Sequence, residues 1–406
     1  MEIEFSNPES VKQRGLTALR EANRCAGTHD EVWRTLWSEH NADSQLEDVK
    51  AVASAFSSCK QIVVLGIGGS ALGLKALHQA LSSNDQHPTL TVLDNVDPVF
   101  VMEALGTMSA IDPTNKDTVV IVISKSGSTT EIAALLMVTQ QMLPHAHYLA
   151  ITEDASQLHA YAVEQVWDTL PVPVGVGGRF SVLSNVGLLP AFLCNIDCSE
   201  LLRGAREMDQ RCLQEENNPA LSLAQQLVHA YESGRTIHVL MPYCSRLANL
   251  AEWYVQLWAE SLGKIDSQGN RIGPTPVAAI GATDQHSTLQ LWQEGPLDKV
   301  IGFIRVQHSD DIALGDEVMN EQFEWLKGKS LKQLLDAQQK STEASLRKGG
   351  QETYTMIMPS LDAHSIGQFV ALWQITVAIA GRMLEINPYN QPGVELSKKL
   401  TKESLR

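Results

Sequence analysis

The sequence predicts an α/β fold with two domains, each built on a mainly parallel sheet with helices on its faces. Runs of apolar, mostly β-branched residues, such as TVVIVI at 118–123, alternate with longer segments of helical periodicity along most of the chain. Such alternation is typical of parallel sheets that are covered on both sides. A glycine-rich turn follows the first strand, and 406 residues suffice for two cores of ordinary size.

The first domain is predicted at residues 59–195, after a helical segment at 1–58. Its strands are expected at 61–65, 90–94, 118–123 and 147–151. Its helices are expected at 70–82, 97–107, 128–142 and 155–164. A glycine-rich stretch at 171–181 then leads out of this sheet.

The second domain is predicted at 196–362, followed by a C-terminal helical segment at 363–406. Helices are expected at 184–194, 199–214, 219–233 and about 246–262. Strands are expected at 236–241, 277–281, 300–306 and 354–358. This half resembles the first in topology but differs in the chemistry of its loops.

The composition argues against several classes of protein. A hydrophobic content of 44% and a charged content of 19% are typical of soluble globular proteins. The net charge of −16 disfavours nucleic acid as a partner, and the acidic first residues lack the pattern of a signal peptide. No apolar run approaches the ~20 residues that span a membrane. We therefore expect a cytoplasmic protein whose site for any anion is locally basic.

The cysteines and histidines do not form a metal-binding pattern. The six cysteines are thinly spread and include no CxxC pair. His145 and His147 lack a neighbouring cluster of further ligands. We expect reduced thiols, no metal ion and no redox cofactor.

Residues 61–72, QIVVLGIGGSAL, combine a buried strand with a glycine-rich turn and a predicted helix start at Ser70. Unpaired amides and the helix dipole at such a turn favour an anion. The pattern GxGxxA at 66–71 also fits the fingerprint of dinucleotide-binding proteins, with Asp94 as the candidate ribose ligand. Asp94 lies 28 residues after Gly66, which is far along for that role. A plain β–α turn is a third interpretation.

The segment SKSGSTTE at 124–131 follows the third predicted strand and contains five hydroxyl groups together with Lys125. A single serine or threonine here could be a helix N-cap, with Glu131 nearby to complete a capping box. Five hydroxyls and a cation exceed what a cap requires and are typical of a site for one phosphate group. Both loops would lie at the carboxyl edge of one sheet, where open α/β folds bind ligands.

The predicted helix at 246–262 carries a candidate general base. Glu252, Gln256 and Glu260 recur every four residues and so share one polar stripe between large apolar flanks. Such a placement suits a carboxylate that takes up a proton. A helix pair between Glu260 and Lys264, worth about 0.3–0.5 kcal/mol, explains the pattern equally well.

Two more candidates lie in loops. Arg179 directly follows the glycines at 177–178, so its guanidinium is carried on backbone that can approach a ligand closely. A solvated arginine in a domain linker is the alternative. His286 follows a predicted strand, at a position where loops often deliver functional groups, although a lone histidine is more often structural.

Six segments, taken in order, resemble the glucose-6-phosphate isomerase family over residues 61 to about 400. They are GIGGSALG (66–73), SKSGSTTE (124–131), GGRFS (177–181), AESLGK (259–264), GATDQHS (281–287) and PGVELSK (392–398). One such motif is a weak signal, whereas six in the same order are specific. The resemblance implies two sugar-isomerase (SIS) domains, no cofactor, and the interconversion of glucose 6-phosphate and fructose 6-phosphate in glycolysis and gluconeogenesis.

The same resemblance implies a role for each matched residue. Glu260 would carry a proton between C2 and C1 of the sugar through a cis-enediol(ate), and Arg179 would stabilise the negative charge of that intermediate. His286 and Lys398 would assist the opening of the pyranose ring, with His286 donated across the interface of a homodimer. The residues implied in substrate binding are Ser70, Ser124, Lys125, Ser126 and Thr129 at the phosphate, together with Gly178, Gln256 and Gln391.

Two other interpretations stay open. A nicotinamide-dependent dehydrogenase would use the turn at 66–71 and Asp94. A non-catalytic regulator that binds phosphosugars would share the phosphate loops, but such proteins usually carry a DNA-binding segment, and the sequence shows no basic helix-turn-helix.

Overall fold

Two five-stranded sheets organise the protein, the first formed by strands between residues 61 and 171 and the second mainly by strands between residues 237 and 360. The computed structural model describes residues 1–5, 12–82, 88–317 and 319–405. The strands are β1 Glu2–Phe5, β2 Gln61–Leu65, β3 Thr89–Leu93, β4 Thr118–Ile123, β5 His147–Thr152, β6 Asp168–Pro171, β7 Ile237–Pro242, β8 Lys264–Ile265, β9 Arg271–Ile272, β10 Thr275–Ala278, β11 Lys299–His308 and β12 Glu352–Ser360. The first sheet has the order β3-β2-β4-β5-β6 and the second the order β1-β12-β11-β7-β10.

Helices flank both sheets, which confirms the predicted α/β fold. They are α1 Lys12–Cys25, α2 Glu39–Ser54, α3 Leu72–Leu81, α4 Pro98–Ile111, α5 Thr130–Met142, α6 Gln157–Glu164, α7 Asn185–Leu193, α8 Cys198–Cys212, α9 Pro219–Glu232, α10 Ala248–Leu262, α11 Leu289–Glu294, α12 Leu331–Lys348, α13 Ala363–Met383 and α14 Glu395–Ser404. The elements expected from the sequence match these to within a few residues. The strands β6, β8 and β9 and the helix α12 were not predicted, and the three strands are only two to four residues long.

The centre of the first sheet sets the position of the two phosphate-type loops. Strands β2 and β4 are buried along their whole length, because QIVVL and TVVIVI offer apolar side chains to both faces. They pair in parallel, with Leu65 opposite Val122. The loops at 66–70 and 124–129 therefore leave the same edge of the sheet side by side.

The segment at 1–58 is not wholly helical, contrary to the prediction. Strand β1 pairs antiparallel with β12, and Glu2 lies opposite Ile357. A four-residue strand has little periodicity of its own, and this one is defined by a partner near the other end of the chain. The N-terminus thus completes the edge of the second sheet.

Helix α13 runs through the interior and packs against α8, α9 and α1. Its 21 residues are long and apolar enough to cross a membrane, but 94% of its most apolar window is buried inside the protein. The sequence does not reveal a run of this length, because Gln368 and Gln374 interrupt the apolar residues. Within the described ranges, α13 is therefore the one helix that passes this test, and it does so as a core helix.

Candidate active site

The turns at 66–70 and 177–179 touch each other through their backbones. A Cβ atom on Gly69 would lie 2.2 Å from the carbonyl carbon of Gly178 and 2.8 Å from the amide nitrogen of Arg179. Only glycine permits this approach at Gly69. The contact holds Arg179 beside the start of α3, next to the first of the two loops.

The Arg179 guanidinium is buried, with 3% of the side chain exposed, and each of its nitrogens has a partner. Nε donates to Ser261 Oγ at 2.8 Å, and Nη1 donates to the Glu260 carboxylate at 3.2 Å. Nη2 donates to the main-chain oxygens of Pro388 and Asn390. Burial lowers the pKa of Arg179, and the Glu260 carboxylate opposes this shift. The interpretation of Arg179 as a solvated linker residue is therefore wrong.

Glu260 lies in the last turn of α10, and its two carboxylate oxygens have different partners. Oε2 accepts from Arg179, and Oε1 accepts from Gln256 Nε2 at 2.9 Å. Gln256 lies one turn earlier on the predicted polar stripe and fixes the plane of the carboxylate. The Glu260 side chain is 32% exposed, so a ligand can still reach it.

Lys264 is not the ion-pair partner of that carboxylate. Its Nζ donates to the main-chain oxygens of Glu260 and Asn390, each at 2.6 Å. Burial, followed by the positive charge of Arg179, lowers the pKa of Lys264 to about 8. The proposed helix pair between the two side chains is therefore wrong, and the carboxylate is left to Arg179 and Gln256.

Gln391 reaches the same cluster from the C-terminal part of the chain. Its Oε1 accepts from Arg179 Nη1 at 3.4 Å. Glu260, Lys264 and Gln391 line a cavity of about 830 Å³, together with parts of the segments at 385–394 and 265–272. The fold thus brings the predicted residues Arg179, Gln256, Glu260 and Gln391 to one place.

The hydroxyl groups of the second loop bond to one another. Ser124 Oγ lies 3.1 Å from Thr129 Oγ1, and Ser126 Oγ lies 2.9 Å from Ser128 Oγ. Thr129 is the N-cap of α5, but its side chain makes no capping hydrogen bond. A capping role therefore does not account for Thr129, and its hydroxyl faces its neighbours in the loop.

Lys125 supplies this loop with a positive charge. Its Nζ lies 3.7 Å from the Glu153 carboxylate, too far for a hydrogen bond, and the side chain is 40% exposed. Ser70 ends the short turn Gly68–Ser70 and follows β2 as Ser124 follows its neighbour β4. Lys125 therefore forms only a long ion pair with Glu153, and its side chain remains partly exposed to solvent.

His286 lies at the opposite edge of the second sheet from Glu260. Helix α10 leads from the carboxyl end of β7 back to its amino end, and its 15 residues span about 22 Å. Glu260 is near the far end of α10, whereas the exposed His286 follows the carboxyl end of β10, which is parallel to β7. One chain therefore does not bring these two residues together.

Lys398 also lies outside the cluster. Its side chain is 62% exposed on α14, and its Nζ pairs with Glu395 at 2.8 Å. Leu396 and Leu400 are exposed on the same helix, so α14 packs on little else within the described residues. The predicted site is thus only partly assembled by one chain.

Asp94 is already paired with another side chain. Its carboxylate accepts from Lys75 Nζ on α3 at 3.0 Å. The dinucleotide interpretation would need this carboxylate for a ribose.

Within the described ranges, histidine, cysteine, aspartate and glutamate side chains form no group of three that could hold a metal ion.

Sequence reasoning missed the groups that hold Arg179 from behind. Ser261 Oγ and the main-chain oxygens of Pro388 and Asn390 were not predicted. Carbonyl groups leave no mark in a sequence beyond the turn-forming run NPYNQPG at 387–393. Ser261 could have been noticed in the sequence, because it is a small polar residue directly after Glu260 in the segment AESLGK at 259–264. The structure shows it buried.

Comparison with known proteins points to one family. A family model described as phosphoglucose isomerase matches residues 31–406. A glucose-6-phosphate isomerase of Thermus thermophilus is 36% identical over 414 residues, which cover 98% of this chain and 97% of that protein.

Solved structures give the same result for the fold. The crystal structure of a hypothetical protein from Thermus thermophilus has a TM-score of 0.89 at 35% identity and covers 96% of this chain and 94% of its own. The crystal structure of a glucose-6-phosphate isomerase from Chlamydia trachomatis has a TM-score of 0.78, and the match covers 96% of this chain and 77% of that one. At 24% identity, the second likeness supports the fold alone.

Proposed function

Because the chain belongs to the phosphoglucose isomerase family, we propose that it interconverts glucose 6-phosphate and fructose 6-phosphate through a cis-enediol(ate) intermediate. One observation carries the proposal: the Glu260 carboxylate lies 3.2 Å from the buried Arg179 guanidinium. A base and a fixed cation are what the removal of a proton beside a carbonyl group requires. Family membership alone supports the coarser statement, that the protein is an aldose–ketose isomerase.

Glu260 is the proposed base, which takes the proton from C2 and returns it to C1. One carboxylate can serve both carbons, because they are adjacent and a cis-enediolate presents both to the same side. The hydrogen bond from Gln256 keeps the carboxylate in one orientation without using all of its lone pairs. Glu260 therefore needs little rearrangement between the two proton transfers.

Arg179 is the proposed partner of the intermediate, whose negative charge is shared by the oxygens on C1 and C2. Its guanidinium is already held by Ser261 and by two main-chain oxygens, so it does not reorganise when the charge develops. Preorganised charges in a dry site act more strongly than in water. Gln391 beside Arg179 is proposed to contact the sugar.

The loops at 66–70 and 124–129 are the proposed anchor of the phosphate. Ser124, Ser126 and Thr129 would exchange their present hydroxyl partners for phosphate oxygens, and Ser70 would add another hydroxyl. Lys125 would supply charge, and Gly178, which lies against Gly69, would contact the substrate beside the first loop. Three cations near the site, Lys125, Arg179 and Lys264, would attract an anion that the net charge of −16 otherwise repels.

Ring opening is proposed to use His286 of a second copy of this chain and Lys398. Topology supports a homodimer, because His286 and Glu260 lie at opposite edges of one sheet, about a helix length apart. A second subunit could present its exposed His286 where the first lacks one. Lys398 would join the site when α14 packs against the body of the enzyme.

The reaction would place the enzyme in glycolysis and gluconeogenesis in the cytoplasm, where phosphorylated sugars are retained.

The test is an assay of the purified chain on fructose 6-phosphate, with glucose 6-phosphate detected by an NADP-dependent dehydrogenase. We expect steady NADPH formation that depends on the chain and is lost in Glu260→Gln. Mannose 6-phosphate, run in parallel, reports on selectivity at C2. A purified, folded chain without turnover of fructose 6-phosphate would overturn the proposal.

A further inference from the structure

The loop at 386–391, between α13 and the turn before α14, forms the back wall of the Arg179 site. Main-chain oxygens of Pro388 and Asn390 accept from Arg179 Nη2, and the Asn390 oxygen also accepts from Lys264 Nζ. The position of the guanidinium therefore depends on where this loop lies. The two carbonyl groups can hold Arg179 in place only if the loop itself is fixed.

A buried ion pair holds the loop from the opposite side. Glu31 is 2% exposed and forms an ion pair with Arg382 Nη2, which belongs to the last turn of α13. Arg382 Nη1 lies 3.0 Å from the main-chain oxygen of Ala378 and 3.4 Å from the hydroxyl of Tyr389. Tyr389 lies between Pro388 and Asn390 in the chain, so anchoring its side chain at Arg382 restrains the backbone that carries the two carbonyl groups that hold Arg179.

Packing joins the same residues a second time. The Tyr389 ring lies against Phe180, with ring centroids 5.6 Å apart, and Phe180 stacks on Trp33 at 5.0 Å. The carbon atom at the centre of the Arg179 guanidinium lies 5.5 Å from the centroid of the Phe180 ring. Burial, and then the charge of Glu31, raise the pKa of Tyr389, and the charge of Arg382 opposes this shift.

Close packing leaves the loop little freedom to shift. A Cβ atom on Gly381, two residues before the end of α13, would lie 2.8 Å from the ring of Pro388. The loop therefore rests directly on the helix backbone, and Arg382 is the next residue of that helix. A displacement of Tyr389 would be passed to Pro388 and Asn390 instead of being absorbed in a gap.

We propose that Tyr389, held by the Glu31–Arg382 pair, is a positioning residue that sets the orientation of the Arg179 guanidinium toward the reacting sugar. It touches neither substrate nor the transferred proton and acts only through the carbonyl groups of its own loop. The inference rests on the proposed function, because it takes Arg179 to be the group that stabilises the intermediate.

The test is a double-mutant cycle on the purified enzyme with fructose 6-phosphate. Tyr389→Phe keeps the ring that packs on Phe180 and removes only the hydroxyl. We expect kcat to fall by about 10- to 100-fold, the range that a small misplacement of a catalytic group can cost. KM should change by less than about threefold, because an interaction made mainly in the transition state affects kcat and kcat/KM alike. In an Arg179→Ala background, Tyr389→Phe should have no further effect on kcat.

The matched control is Tyr148→Phe. Tyr148 is a partly buried tyrosine that donates to the main-chain oxygen of Leu143 at 3.0 Å and stacks on Trp167, in the first sheet and away from Arg179. Its loss costs the fold a similar hydrogen bond, and we expect kcat to stay within about twofold of the wild type. A second variant, Glu31→Gln, removes the charge that holds Arg382 and should lower kcat in the same manner as Tyr389→Phe.

The outcomes separate the two proposals. An unchanged kcat in both Tyr389→Phe and Glu31→Gln would overturn the positioning role. The same would follow if Tyr389→Phe lowered kcat equally with and without Arg179, because the hydroxyl would then act through general stability. If Arg179→Ala itself left kcat unchanged, the assignment of Arg179 under the proposed function would fail together with the inference.

Discussion

The ammonium group of Lys264 lies 2.6 Å from the main-chain oxygen of Glu260, not against the carboxylate of that residue. A lysine four residues after a glutamate on a helix normally suggests an ion pair between the side chains. Here Lys264 instead caps the carboxyl end of α10 and bridges it to Asn390. The Glu260 carboxylate is therefore available to face a substrate with Arg179 beside it.

Replacing Glu260 with glutamine should abolish most of the activity. Glu260→Gln keeps the shape and the hydrogen bond to Gln256 but removes the basicity, and loss of a positioned general base typically costs about 10²–10⁴-fold in kcat. KM should move little, because the proposed phosphate anchors lie in the other domain. The control is Glu252→Gln, an exposed carboxylate on the same stripe of α10, which should leave kcat unchanged.

Hydrogen exchange at C2 tests the same assignment without turnover. Glucose 6-phosphate incubated in deuterated water with the wild-type enzyme should exchange its C2 hydrogen, and with Glu260→Gln it should not. Proton NMR follows the loss of the C2 proton signal of glucose 6-phosphate with each of the two enzymes. Continued exchange in the variant would assign the base to another residue.

Local sequence patterns predicted the α/β fold and the shared helix face of Gln256 and Glu260. The runs QIVVL and TVVIVI offer apolar side chains to both faces, which is typical of a buried parallel strand. Because β2 and β4 pair in parallel, the loops that follow them lie side by side. The stripe that contains Gln256 and Glu260 follows from helical geometry alone. These features are local, so local patterns reveal them.

The remaining features depend on contacts between distant parts of the chain. Strand β1 pairs with β12, which lies about 350 residues later in the chain. The main-chain oxygens of Pro388 and Asn390 reach Arg179 only because the loop after α13 packs against the turn at 177–179. No side-chain type predicts such contacts. That His286 lies about a helix length from Glu260 likewise follows from topology and not from a motif.

Lys125→Ala should weaken substrate binding more than chemistry. A charge-assisted contact to a phosphate is worth roughly 1.5–3 kcal/mol, which corresponds to a rise in KM of about 10- to 150-fold. The control is Lys116→Ala, which removes an exposed lysine at the opposite edge of the same sheet. Initial rates over a range of fructose 6-phosphate concentrations measure both. The phosphate assignment fails if Lys125→Ala binds substrate as tightly as the control.

Mixed dimers should recover activity lost in each parent. Glu260→Gln and His286→Ala are each expected to be inactive, but a hybrid of the two contains one site with both residues intact if His286 comes from the partner subunit. Dissociation and reassembly of equal amounts should restore about a quarter of the wild-type activity, since about half of the dimers are hybrids with one working site each. Hybrids isolated with two different affinity tags and found inactive would mean that each subunit builds its site alone.

Acid should destabilise the second domain through His238, which lies in β7 between the strands β11 and β10. The ring is 2% exposed, lies 5.4 Å from the Trp258 ring, and has no hydrogen-bond partner on either nitrogen among the described residues. Burial lowers the pKa of His238 to about 3, from 6.5 in the unfolded chain. Between these values only the unfolded chain binds the proton, so the free energy of unfolding falls as the pH falls, by at most about 1.4 kcal/mol per pH unit from this group. His238→Leu should therefore reduce the slope of the unfolding free energy against pH between pH 4 and 6.

Urea titrations at several pH values measure this slope. The control is His145→Leu, which changes an exposed histidine and should leave the slope as it is in the wild type. An equal slope in wild type and His238→Leu would show that His238 does not carry this acid sensitivity.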